Sequence, residues 1–157
     1  MNTREIPAAV AVIGAMVALP RVLMNPVLGV FRPLDLALLS ELCSRVKPQF
    51  AETIRIQQSE TNFVQCVSAA TSEINLYRLK GMRLTLARSK LLPFSEDHFV
   101  LAEMDIVITK IIKARVQFHV VEGVLFSMDF NAHIANARGV SKVDVKKFQM
   151  LDHGAAE

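Results

Sequence analysis

The chain contains no tryptophan, one tyrosine and two cysteines, with six each of glycine and proline among 157 residues. Each scarcity removes a class. Two cysteines, Cys43 and Cys66, are too few for a disulfide scaffold, and with no Cys/His cluster beside them they do not read as a zinc module. Collagen-like and mucin-like chains need far more glycine, proline or serine, and disorder needs low hydrophobicity with high net charge. Here 52% of the residues are hydrophobic, 21% are charged and the net charge is +3, which describes one globular domain with a sizeable core. Motifs are missing as well. There is no Walker loop, GxGxxG, GxSxG, HExxH or CxxC, so the sequence supports neither a phosphate-cradling loop nor a nucleophile elbow, and no cofactor or metal is expected.

Charge is what the N-terminus lacks. Ile6 to Pro20 carries none, and Val22 to Phe31 continues the apolar run after Arg21, contributing to a mean hydropathy of +0.33. Pro7, Gly14, Pro20, Arg21 and Pro26 interrupt the run, which makes a poor transmembrane helix. Glu5 offsets Arg4, and Met16-Val17-Ala18 before Leu19-Pro20 is a poor cleavage site, which argues against a signal peptide. The preferred reading is a short buried helix over 7–19 docked on the domain, or an upstream extension if Met24 is the functional start. A cytoplasmic location with reduced thiols follows, with export or membrane association through this segment as the alternative. The domain itself is placed at 25–150, after an apolar segment at 1–24 and before a flexible tail at 151–157.

Leu34, Leu38, Leu42 and Val46 recur every four residues, with Leu39 and Cys43 beside them, which predicts a helix from Pro33 to Lys47. Pro48 ends it and opens a second helix to about Gln58, with Phe50 and Ile54 inward. After Thr61 the period changes to two. Strands are expected at 63–69, 73–79, 82–88, 99–109, 114–121 and 124–131, with 140–150 as a last element. The fold class is α+β: two or three N-terminal helices, then an antiparallel meander of about six strands.

Turns set the expected registers. A three-residue loop Val121-Glu122-Gly123 pairs Val120 with Val124, Phe118 with Phe126 and Val116 with Met128, and on the other face Gln117 with Ser127 and Arg115 with Asp129. A two-residue Glu-Gly loop is rejected because it mixes polar and apolar faces. A three-residue loop Leu79-Lys80-Gly81 likewise pairs Leu76 with Leu84, Ile74 with Leu86 and Tyr77 with Arg83, so Gly81 and Gly123 are both structural turn residues. The hairpin over Ala69 to Ser72 has no turn residue to fix its register. Phe118, Phe126, Phe130, Met104 and Met128 form an inner stripe that reads as core.

A turn across Thr109 to Lys113 that sets Ile106 opposite Val116 and Met104 opposite Phe118 also sets Glu103 opposite His119 and Asp105 opposite Gln117. A carboxylate holding one imidazole nitrogen raises the basicity of the other, so Glu103 and His119 are the weak catalytic candidates, although such neighbours are usually ordinary surface. Cys43 and Cys66 have apolar neighbours and read as buried inert thiols, and His98, His133 and His153 are scattered without ligand spacing. Between Glu73 and Glu96 no acid occurs, while Arg78, Lys80, Arg83, Arg88 and Lys90 all do. That run reads first as a solvated hairpin rim and second as a polyanion-binding surface with Tyr77 as a stacking platform.

The segments Glu73-Ile74-Asn75-Leu76-Tyr77 and Val121-Glu122-Gly123-Val124-Leu125-Phe126-Ser127-Met128-Asp129-Phe130 resemble two signatures of a bacterial family of small α+β proteins, a domain of unknown function. The resemblance covers about 25–131, implies the fold class and a bacterial origin, and transfers no catalytic residue. An apolar N-terminal segment in excess of one small core's need, together with no motif for catalysis, gives a non-enzymatic expected function, through a protein partner or self-association. The alternatives are a nucleic-acid or polyanion module on the basic hairpin, and a small-ligand or hydrolytic protein using the Glu103/His119 face.

Overall fold

The computed structural model describes residues 31–66 and 73–151, so the readings for 7–19, for the Ala69 to Ser72 hairpin and for most of the tail lie outside the described residues. Helix α1 spans Pro33–Arg45, with proline in its first turn and Asp35 accepting the Arg32 N–H at 2.9 Å. Its stripe of Leu34, Leu38, Leu39, Leu42 and Cys43 is buried, and the chain leaves helical geometry at Val46, before Pro48. Helix α2 spans Pro48–Glu60 and buries Phe50, Ala51, Thr53, Ile54 and Gln57. Both helices contribute to one core with the inward residues Ile74, Met104, Val116, Phe118 and Met128 of the sheet.

The strands are β1 (Phe63–Cys66), β2 (Glu73–Lys80), β3 (Arg83–Thr85), β4 (His98–Val107), β5 (Lys113–Val121), β6 (Val124–Phe130) and β7 (Asp144–Met150). The α+β class is as the sequence reads: among the described residues, two α-helices and then a seven-stranded antiparallel sheet. Its order, β1-β2-β6-β5-β4-β7 with β3 beside β2, departs from a simple meander. The cause is local. β3 is three residues long, and Leu86 and Ala87 after it pack on Val124 instead of extending the ladder, while Glu73, Ile74 and Asn75 of β2 pair with β6.

Three expected registers are corrected. Glu122 and Gly123 both have positive φ, 50° and 76°, and Val121 pairs with Val124, so the β5–β6 turn is the two-residue loop that the face argument rejected. One step later a bulge brings the offset to two residues, an even shift that keeps the faces: Val120 faces Leu125, His119 faces Ser127, and Phe126 is the extra residue. The faces sort correctly as a result, with Phe118 opposite Met128 and Val116 opposite Phe130. Phe126 leaves the inner stripe and packs edge-on to Tyr77, with ring centroids 5.4 Å apart. The β2–β3 turn is also two residues, Gly81 and Met82, pairing Lys80 with Arg83 and Leu79 with Leu84.

In the β4–β5 hairpin, Met104 faces Val116, Glu103 faces Gln117 and Asp105 faces Arg115. This differs from the expected pairing by two residues, a slip that preserves every face and so escapes hydrophobic patterning. The turn chemistry decides it: Ile108 N–H donates to Ile112 O at 2.9 Å, and Thr109 Oγ1 accepts the Ile112 N–H at 3.1 Å.

Candidate functional site

The face of the sheet away from the helices carries both catalytic candidates, and the structure separates them. Gln117 Nε2 donates to Glu103 Oε1 at 2.6 Å, whereas His119 lies opposite Val100 and Ser127. The carboxylate nearest the imidazole is on β6: Asp129 Oδ2 is 3.3 Å from His119 Nε2. That approach lacks hydrogen-bond direction, and Nε2 is a buried atom with no hydrogen-bond partner. Ser127 Oγ donates to Asp129 Oδ1 at 3.0 Å and not to the imidazole, so Ser127 and His119 do not form a nucleophile–base pair. The His98 ring stands 5.6 Å from that of His119, and among the described residues no cluster of His, Cys, Asp and Glu is arranged to hold a metal.

Beside this row, Glu103, Asp105, Arg115, Lys147 and Gln149 line a cleft of about 120 Å³ that excludes His119. Ligand pockets run to about 300 Å³ and more. Two of its charges pair across it: Arg115 Nε donates to Asp105 Oδ1 at 2.7 Å, and that hydrogen bond holds the Asp105 carboxyl below the usual carboxylate range. Further along the face, Asn75 is buried with its Oδ1 unpartnered, and burial pushes the Tyr77 hydroxyl pKa up, with the Glu73 charge acting in the same direction.

The basic run is drawn apart by tertiary contacts. Arg78 lies 3.7 Å from Glu60, Lys90 Nζ lies 2.8 Å from Glu52, and Arg88 pairs with Glu122 in the β5–β6 turn. The acids missing from the local sequence thus arrive from α2 and from a distant hairpin. Lys80 and Arg83 face each other at the β2–β3 tip, with Met82 between them 95% exposed. Cys43 is buried as expected, but Cys66 is exposed, because it ends β1 with its side chain on neither core cluster.

Two features escaped the sequence reading. A second acid-free interval, between Asp105 and Glu122, places Lys110, Ile111 and Lys113 on the β4–β5 turn, and the Lys-Ile-Ile-Lys string was its available signal. Gln57, a polar residue on the buried side of α2, had no signal beyond interrupting the apolar stripe. Among the described residues, no helix is long and apolar enough to cross a membrane. Compared with known proteins, the chain matches no family model, no curated protein and no solved structure.

Proposed function

We propose that the protein is a non-enzymatic interaction module that presents the β2–β3 hairpin to a protein partner. The observation that carries this reading is Met82, 95% exposed at a braced tip. Asn62 Nδ2 donates to Leu79 O at 3.0 Å and its Oδ1 accepts the Leu79 N–H, while Thr85 Oγ1 donates to Arg78 O at 3.0 Å. A thioether held out on such a stem, with exposed Leu79 below it and Lys80 and Arg83 at its sides, suits an apolar pocket rimmed by carboxylates. The location proposed is the cytoplasm, where Cys43 and Cys66 remain thiols.

A nucleic-acid surface is the weaker reading, since Arg78, Arg88 and Lys90 are already engaged by carboxylates. The enzyme reading loses its pair, because Glu103 and His119 have different partners. Affinity capture compared between the wild type and Met82→Asp, with light scattering on each, tests the proposal. A partner held by the wild type and lost in the variant is expected; a second copy of the chain is the other form this contact takes. Equal capture by both, or a monomer without partners, overturns it.

A further inference from the structure

We infer that the β4–β5 turn is a contact site for an anionic lipid bilayer surface. This goes beyond the hairpin reading and stands on a different part of the molecule. Strands β2 and β5 both pair antiparallel with β6, so they run in the same direction, and the turn after β2 and the turn before β5 lie at opposite ends of the sheet.

Ile111 is 91% exposed at the tip of this turn, and the exposure is built in. Ile112 packs on the core, Ile108 N–H donates to Ile112 O, and Thr109 Oγ1 accepts the N–H groups of Ile111 and Ile112 at 3.3 and 3.1 Å. The turn is closed around Thr109, with Ile111 left outside. Lys110 and Lys113 are exposed on either side, and Lys142 is exposed in the connection to β7, which begins at the same end because Asp144 pairs with Val107. Two carboxylates near this end are already taken, Asp105 by Arg115 and Asp144 by Lys146. Among the described residues, no ion pair engages Lys110, Lys113 or Lys142.

The polypeptide also enters the described fold here. The first turn of α1 is tied to Arg138 in the β6–β7 connection, through Leu34 N–H to Arg138 O at 3.2 Å and Arg138 to Asp35 Oδ2 at 2.7 Å. Preceding that turn, the sequence from Ile6 to Phe31 has Arg21 as its one charged residue. The cationic, apolar tip and the start of α1 therefore share one end of the sheet, and in the sequence an almost uncharged stretch precedes that start. One inserted side chain or a few lysines hold a protein at a bilayer weakly, and stable attachment takes two signals together. Lysine acts as a point charge that does not need the bidentate geometry of a folded acidic partner, and an isoleucine side chain gives nucleic-acid bases no aromatic stacking surface.

Flotation of the full chain with vesicles of phosphatidylcholine alone, and with about one-third phosphatidylglycerol, tests this at low and near-physiological salt. The wild type is expected to bind the anionic vesicles at least about tenfold more tightly than the neutral ones, and more weakly as salt rises. Ile111→Asp and K110E/K113E are each expected to weaken that binding about tenfold, with Met82→Asp unchanged. Circular dichroism checks each variant, and K110Q/K113Q replaces the charge reversal if it does not fold, with a smaller loss in the same direction. Failure of the wild type to float with anionic vesicles, equal binding to neutral ones, or wild-type binding by both turn variants overturns the inference. Loss of lipid binding in Met82→Asp overturns it too, whereas loss of a protein partner in that variant bears only on the hairpin.

Discussion

Gln57 on α2 and Gly123 in the β5–β6 turn are joined across the core: Gln57 Nε2 donates to Gly123 O at 2.9 Å and to Lys90 O at 2.7 Å, while its Oε1 accepts the Leu125 N–H at 3.0 Å. One buried amide satisfies three backbone groups where the turn and the bulge leave the regular ladder. Gly123 is required there twice, by its φ of 76° and because a Cβ would stand 3.0 Å from Leu91 Cβ and 3.1 Å from Leu92 O.

Gly123→Ala is therefore expected to cost about 1–3 kcal/mol through a strained φ and that close approach. Gln57→Leu, which strands buried backbone groups, costs about 2–4 kcal/mol. Urea denaturation measures both through the midpoint at constant m-value. The double variant should lose clearly less than the sum, and additivity within about 0.5 kcal/mol would show that the two sites are uncoupled.

Asp35 and Arg138 form a buried pair between α1 and the β6–β7 connection, with Arg138 10% exposed and Asp35 fully enclosed. Removing either partner leaves a charge in the core, so Asp35→Ala or Arg138→Met is expected to cost about 3–5 kcal/mol. The pair Asp35→Leu with Arg138→Met should recover part of that loss in thermal melts. No recovery would show that the backbone bonds around the pair, and not the stranded charge, set the cost.

Tyr77 is the chain's one tyrosine and there is no tryptophan, so absorbance at the phenolate band reports it alone. Burial, then the charge of Glu73, raise its pKa, and the Asn75 side chain opposes them. Its midpoint should lie above the ordinary value of about 10, and Glu73→Gln should bring it down. A raised folded-state pKa contributes stability that is fully present below the unfolded pKa and lost as pH rises through the folded one. The alkaline limb of a stability profile should accordingly fall from about pH 10 upward, more gently in Tyr77→Phe. An unshifted midpoint contradicts the packing around Tyr77.

The two thiols should separate by reactivity. Burial pushes the Cys43 pKa up, against an opposing effect of Arg55, and its Sγ faces Ala51 O at 3.8 Å. Cys66 is exposed. Titration of the native protein with a disulfide reagent near pH 8 should show a rapid phase from Cys66 and a slow one from Cys43, merging in denaturant. Cys66→Ser removes the rapid phase; its survival in that variant would place Cys43 at the surface.

Helix α1 was legible because Leu34, Leu38 and Leu42 need nothing but a period of about 3.6 to find one face, and Pro33 and Pro48 mark its ends locally. The alternation Met104, Ile106, Val116, Phe118 told which side of each strand turns inward for the same reason. Periodicity is a property of neighbours in the chain. The identity of a strand's partner is not, and neither is a register that slips by an even number: Glu103 faces Gln117 instead of His119 because Thr109 closes the turn one residue earlier, and the core cannot tell the two apart. The bulge at Phe126 restores the faces after a turn that appeared to break them, and it lies where Gln57 supplies hydrogen bonds from 68 residues away. Arg78, Arg88 and Lys90 read as a patch along the chain and are carboxylate-paired in space, since the charge of a surface is summed over what folding brings together and not over sequence. Sequence alone thus determined the elements and their inward faces, through short-range sterics and burial; tertiary structure decided the partners, the registers and which charges remain unanswered, because those depend on contacts between residues far apart in the chain.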